Sequence, residues 1–315
     1  MIATLKRGVT NGFGVTFSLA KVIFPVTVIV SVLQFTPFLD WIVTLIAPFM
    51  EWFGLPGEAA VPLVVGNSLN LYAGIGAIVS FEFTVKEVFA LAVMLSFSHN
   101  LFVESTVATR VGVRFSVVIG IRLALAFLSA WLIHLLYPGG EELAQFGSFQ
   151  TDTQEVSGVF EVLVESLIRA LSSIGQLALI VIPLMIIMQL FREWGWLDML
   201  SEYLAPFTKL IGIKPNASMT LVAGLTIGLA FGAGVMVQAI KEDGVEKKDM
   251  YLSFIFLVAC HAVIEDTLIF IPLGIPVWPL LIIRVTTAIL LTSFIAFLWN
   301  RAERKQREEA FNYGH

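Results

Sequence analysis

Long apolar stretches alternate with short polar breaks along this chain, and the breaks fall in the same order twice. Val15 to Leu33, Val113 to Leu136, Leu177 to Leu190 and Pro279 to Leu298 are mostly apolar. Several of these runs have the about 20 residues that a helix needs to cross a hydrocarbon core of roughly 30 Å. The polar-apolar alternation of a lipid-facing barrel strand is absent. The pattern predicts five helical elements per half. In the first they are a long helix around 13–36, a short amphipathic one at 38–53, a glycine-rich one at 57–81, a polar-centred one at 86–108 and a closing one at 114–137. The second half repeats them at 160–192, 196–211, 215–240, 247–270 and 277–299. The expected fold class is all-α, a polytopic membrane protein of two repeats.

The two halves also match residue by residue. Pro25, Asp40, Pro48, Gly54, Gly66, Gly74 and Gly76 recur 158 positions later as Pro183, Asp198, Pro206, Gly212, Gly224, Gly232 and Gly234. After a short insertion near Lys241 to Gly244 the offset is 162, and Lys86, His99, Gly112 and Arg122 recur as Lys248, His261, Gly274 and Arg284, while Glu104 meets Asp266. The domain reading is a first repeat at 1–137, a polar, acidic linker at 138–158, a second repeat at 159–300 and a charged tail at 301–315.

Lysine and arginine near span ends favour the cytoplasmic side. Lys6 and Arg7, Arg110 and Arg114, Arg192, Lys247 and Lys248, and the tail from Arg301 to Arg307 can share that side. The expectation is an inner-membrane protein with both termini cytoplasmic and the linker outside. Each half then makes an odd net number of crossings, so the repeats are inverted. The short elements at 38–53 and 196–211 read equally well as spans or as halves of re-entrant hairpins. Pro48 is expected to interrupt the hydrogen-bond ladder of the first.

Composition narrows the class. With 57% hydrophobic and 14% charged residues and a mean hydropathy of +0.88, the chain has too little charge to cover a soluble domain. One cysteine, Cys260, excludes an internal disulfide and every multi-cysteine metal motif. No basic patch suggests nucleic acid, and no cofactor is expected. The expected partners are the lipid bilayer and a small-molecule or ion substrate, a reading compatible with a homo-oligomer.

Polar residues at membrane depth are costly and default to function. Gly66, Asn70 and Gly74, four apart, place small residues on one face of a helix where another backbone or a substrate approaches closely. Asn67, Asn70 and Thr226 offer polar groups there. Ser98-His99-Asn100 followed by Glu104 parallels Cys260-His261 followed by Glu265 and Asp266. A carboxylate four or five residues beyond a histidine on a helix lies near the same face, so each histidine is expected to share a proton or a cation with its own acid. The substrate-binding candidates are thus Asn67, Asn70, Asn100, His99, His261 and Thr226. His99, Glu104, His261, Glu265 and Asp266 are the candidates for ion or proton coupling. Equal distances from turns at Gly112 and Gly274 predict structural ion pairs Glu104–Arg122 and Asp266–Arg284, which leave the histidines to carry any proton. Glu161, Glu165 and Arg169 read as a surface group, and His134 and His315 as peripheral.

The paired segments Ala47-Pro48-Phe49 to Gly76 and Ala205-Pro206-Phe207 to Gly234 resemble the Gate, or nucleoside-recognition, domain. That domain is shared by concentrative nucleoside transporters, the membrane part of ferrous-iron transporter B proteins and spore-maturation proteins A and B. The resemblance spans both halves and implies a membrane transport role. It departs from the ferrous-iron proteins in lacking a Gly-x-x-x-x-Gly-Lys-Ser/Thr phosphate loop. Only Cys260 could answer to their intramembrane cysteines.

Three functions follow as expectations. The first is a secondary carrier, not an enzyme, that moves a small polar solute such as a nucleoside by alternating access between inverted repeats, with ion or proton coupling. The second is a divalent transition-metal permease using His99, Glu104, Cys260, His261 and Glu265 as imidazole, carboxylate and thiolate ligands. The third is a membrane assembly or maturation factor without transport.

Overall fold

The computed structural model describes residues 2–33, 36–110, 112–144, 159–229, 242 and 244–313. In the first half the helices are α1 (Ile2–Leu33), α2 (Pro37–Glu51), α3 (Ala60–Ser68), α4 (Leu71–Ile78), α5 (Val85–Ser98), α6 (Leu101–Arg110) and α7 (Phe115–Leu136). In the second they are α8 (Val159–Glu193), α9 (Trp196–Leu210), α10 (Ser218–Ile227), α11 (Lys247–Ala259), α12 (Glu265–Leu268) and α13 (Val277–Tyr313). Short 3₁₀ turns at Gly57–Ala59 and Pro215–Ala217 lead into α3 and α10. Where both halves are described, the order of elements is the same; the stretch that would match α4 lies outside the described residues. Gly232, Gly234, Lys241, residues 145–158 of the linker and His315 lie outside the described residues, as do the side chains of Glu165 and Arg169.

Several expected elements differ from the observed ones. The glycine-rich element is two helices, because Asn70 turns extended at φ −169° and its Oδ1 accepts the Ala73 amide at 2.9 Å, capping α4. Gly66 and Gly74 therefore meet across a turn instead of lining one face, and a Cβ on Gly66 would stand 3.3 Å from Gly74 Cα. The polar-centred elements are also broken, at His99 in the first half and at Cys260–His261 in the second. Pro48 does not end α2, which runs on to Glu51, and α9 likewise contains Pro206. Each proline lies close to its helix end, so only one ladder bond is lost there. The first helix begins at Ile2, ahead of the expected start, because its polar turn finds partners on α8: Arg7 Nε donates to Glu193 Oε1 at 2.8 Å and Thr4 Oγ1 to Glu193 Oε2 at 2.6 Å.

The long helices α1 and α8 pack against each other along their length. Gly8 and Gly12 permit this approach: a Cβ on either would lie 2.7 Å from Ile186 Cα or 2.9 Å from Ile182 Cα. The start of the linker is tied to the α5 N-terminus, where Val85 and Lys86 donate to the carbonyls of Glu142 and Gly140 at 2.9 Å each. Thr84 and Glu87 close a capping box at that end.

Among the described residues three helical segments are long and apolar enough to cross a membrane: Val85–Thr109, Phe115–Leu136 and Val277–Gln306. The first is mostly buried inside the protein, whereas the other two present exposed apolar side chains such as Leu128, Trp131 and Leu135 on α7 and Ile282, Leu290 and Phe294 on α13. An apolar exterior around a buried core is the arrangement that lipid solvates. The α5–α6 segment is consequently the central element, and its break lies in the interior of the molecule.

Candidate functional site

Each histidine closes a helix whose last turn is left without hydrogen-bond donors. His99 is the C-cap of α5 and Cys260–His261 follows α11. The next residues, Asn100 at φ 51° and Ala262 at φ 40°, are the two non-glycine residues with positive φ among those described. Their amides turn away to the preceding glycine helices: Asn100 N donates to Gly66 O at 2.9 Å and Ala262 N to Gly224 O at 3.0 Å. The glycines let this happen. A Cβ at Gly66 would meet Leu95 Cδ2 at 2.5 Å, and at Gly224 it would meet Leu257 Cδ1 at 2.4 Å.

The breaks free carbonyls in the interior, and buried arginines satisfy them. Arg122 on α7 donates from Nε to Phe97 O at 2.7 Å and from Nη2 to His99 O at 2.6 Å. Arg284 on α13 donates from Nη2 to His261 O at 2.5 Å. The same arginines hold the carboxylates, with Arg122 Nη2 at 2.8 Å from Glu104 Oε2 and Arg284 Nη2 at 3.2 Å from Asp266 Oδ2. All four side chains are buried. A buried arginine needs such a counter-charge, and each pair is positioned by a backbone break as well as by charge.

Carbonyls fix the histidine tautomers. His99 Nδ1 lies 2.7 Å from Leu95 O and His261 Nδ1 lies 2.8 Å from Leu257 O. A carbonyl only accepts, so each Nδ1 carries the hydrogen, and in the neutral ring the lone pair is on Nε2. The two Nε2 atoms point at one another, 3.4 Å apart. The carboxylates complete the cluster across the halves. His261 Nε2 is 3.1 Å from Glu104 Oε2 and 3.6 Å from Asp266 Oδ2, and His99 Nε2 is 3.6 Å from Glu104 Oε1 and 3.8 Å from Asp266 Oδ2. Each histidine thus stands near the acid of its own half, as the spacing predicts, and near the acid of the other half as well. His99, His261 and Asp266 present ligand atoms all within 4.8 Å of one another.

The other candidates are arranged around this cluster in different ways. Asn70 spends its amide oxygen on the α4 cap, and Thr226 Oγ1 donates to Val222 O at 2.7 Å in its own helix. Asn67 Oδ1 is buried without a partner among the described residues. Cys260 is a buried free thiol beside His261 in sequence. Glu265 departs from the cluster and accepts a hydrogen bond from the hydroxyl of Tyr72 on α4. Sequence reading overlooked Tyr72, whose signal was an aromatic hydroxyl two residues beyond the Asn70 cap.

A buried, charge-balanced cluster at two helix breaks, enclosed by apolar helices long enough to cross a bilayer, defines a multi-pass helical membrane protein of the transport-related class. The sequence profile of the Gate family, described as nucleoside recognition, matches residues 16–125 and again 174–275. The chain belongs to this family, whose members are transport-related proteins and not enzymes. It is also 58% identical over 294 residues to an uncharacterized membrane protein of Bacillus subtilis (strain 168), YvoD, covering 93% of this chain and 94% of that one. No solved structure matches it.

Proposed function

We propose that the chain is a permease for a divalent transition-metal cation, bound between the repeats by His99, His261 and Asp266, with Glu104 beside them. The observation that carries this reading is the close approach of the two Nε2 atoms, with each Nδ1 held by a carbonyl. A carbonyl on the far ring nitrogen orients metal-binding histidines generally. Two imidazoles on a tetrahedral ion at about 2.0–2.1 Å stand about 3.4 Å apart, and the observed Nε2 separation is 3.4 Å. Imidazole with carboxylate suits Zn²⁺, Mn²⁺ or Fe²⁺. The cation is cargo, so the site must also release it, and ligands contributed by both halves would separate when the halves rock apart.

In this reading the repeats span the membrane in opposite senses. The domains are 1–137 and 159–300, joined by an extracytoplasmic linker at 138–158 and followed by a cytoplasmic tail at 301–315. The matching order of elements and the cross-half cluster support it. A polar-solute carrier, with a nucleoside as one such solute, retains one supporting observation: the buried, unpartnered amide oxygen of Asn67. The convergent imidazoles favour the cation.

The test is uptake of Zn²⁺, Mn²⁺ and Fe²⁺ into proteoliposomes, with nucleosides as a parallel panel. Saturable uptake of at least one metal, reduced tenfold or more in His99→Ala/His261→Ala, is expected, in line with the usual cost of removing metal ligands or their supports. Nucleoside flux with no metal flux from folded protein would replace this reading with the solute carrier.

A further inference from the structure

Within the interior cluster the charges cancel in pairs: Glu104 with Arg122 and Asp266 with Arg284. A divalent cation approaching these groups gains little net attraction from them. Glu265 is different. It sits next to Asp266 in the chain, has no cationic partner among the described residues, and is held instead by the Tyr72 hydroxyl. Glu265 and Tyr72 are both partly exposed, whereas His99, His261, Glu104 and Asp266 are buried.

The pair also breaks the internal repeat. At the offset that relates His261 to His99, Glu265 falls on Val103, and at the offset that relates Gly224 to Gly66, Tyr72 falls on Ala230. A symmetric cluster has no preferred side, and this contact, made from α4 of the first half to α12 of the second, supplies one.

We propose that Glu265 is the access ligand of the site: it takes the divalent cation first and passes it to His261 and Asp266, and Tyr72 is the positioning residue that holds its carboxylate when no cation is present. The proposal rests on the permease reading above. The uncompensated charge supplies attraction at the partly open edge, and the tyrosine hydroxyl gives the carboxylate a hydrogen-bond partner between cations, so that it is not left buried and unpaired. Removing the carboxylate therefore weakens capture. Removing the hydroxyl removes a competitor of the cation and strengthens it.

Zn²⁺ uptake by proteoliposomes of the full chain, measured as KM and maximal rate, tests this with Glu265→Gln and Tyr72→Phe, each first checked for a cooperative melt. Glu265→Gln is expected to raise KM tenfold or more while the maximal rate changes less than twofold. Tyr72→Phe is expected to lower KM by threefold or more. Should Glu265→Gln fail to fold, Tyr72→Phe carries the test alone, because a merely structural tyrosine would not lower KM. Wild-type protein that takes up Zn²⁺ through the histidine pair, with KM unchanged in the folded variants, overturns the access role and leaves the permease reading standing. Wild-type protein that takes up no metal, with no change in His99→Ala/His261→Ala, overturns the permease reading and this proposal with it.

Discussion

At the residue scale, the protein solves a problem that its own helix breaks create. Ending α5 and α11 in the apolar interior strands the carbonyls of Phe97, His99 and His261, and Arg122 and Arg284 reach them from the neighbouring helices. Glu104 and Asp266 are then needed to balance the arginines. Arg122→Met should therefore destabilise the protein by about 3–5 kcal/mol, because it leaves both a buried carboxylate and unsatisfied carbonyls. Adding Glu104→Gln in the same chain should recover part of the loss, which thermal melts of the single and double variants in detergent would measure. Equal melts for the two would mean that the ion pair contributes nothing beyond the carbonyl contacts. The residue types of this cluster were legible in the sequence, since a histidine, an acid and an arginine recur in each half. Their partners were legible only in part. Spacing along a helix pointed each histidine to its own acid, and the fold adds the acid and the histidine of the other half, at breaks marked by the positive-φ residues Asn100 and Ala262.

At the element scale, glycines decide where helices approach each other. Gly66 and Gly224 hold the glycine helices against Leu95 and Leu257, one turn before the histidines, and the same two leucines supply the carbonyls that fix the histidine tautomers. Gly224→Ala should cost about 1–3 kcal/mol as an overpacked core position. The cost should exceed that of Gly66→Ala, because three atoms of Leu257 would lie under 3.0 Å from the new methyl group against one of Leu95. Melting both variants, with Leu257→Ala added to relieve the first, would check the order. A smaller loss for Gly224→Ala would show that Leu257 has room to move. The breaks themselves left signals in the sequence: Asn70 is a helix-capping residue inside an apolar run, and Asn100 is a residue type that tolerates left-handed backbone. Continuous hydrophobicity outweighed those signals because in a membrane protein it extends through a break as readily as through a helix.

At the scale of the whole molecule, the halves are joined at the central cluster, along α1 and α8, and where α11 packs on α7. The second junction ends in an exposed clamp, where hydrogen bonds from Arg7, Thr4 and Gln189 hold the Glu193 carboxyl down to about 2. The inverted arrangement proposed above would place both termini on one side of the membrane and the linker on the other. Single cysteines introduced after removal of Cys260, one in the tail and one near residue 150, should therefore react with an impermeant thiol reagent from opposite sides of oriented vesicles. Labelling of both from one side would exclude the inverted arrangement. By itself the sequence determined that this chain is a helical membrane protein, that it is duplicated, and which polar residues recur in both halves, because hydrophobic run length and residue register are properties of the one-dimensional chain. Only the tertiary structure decided that the two histidines face each other and that Tyr72 holds Glu265. Both contacts are made between halves more than 150 residues apart, and both depend on the local breaks in α3–α4, α5–α6 and α11–α12 that bring those halves together.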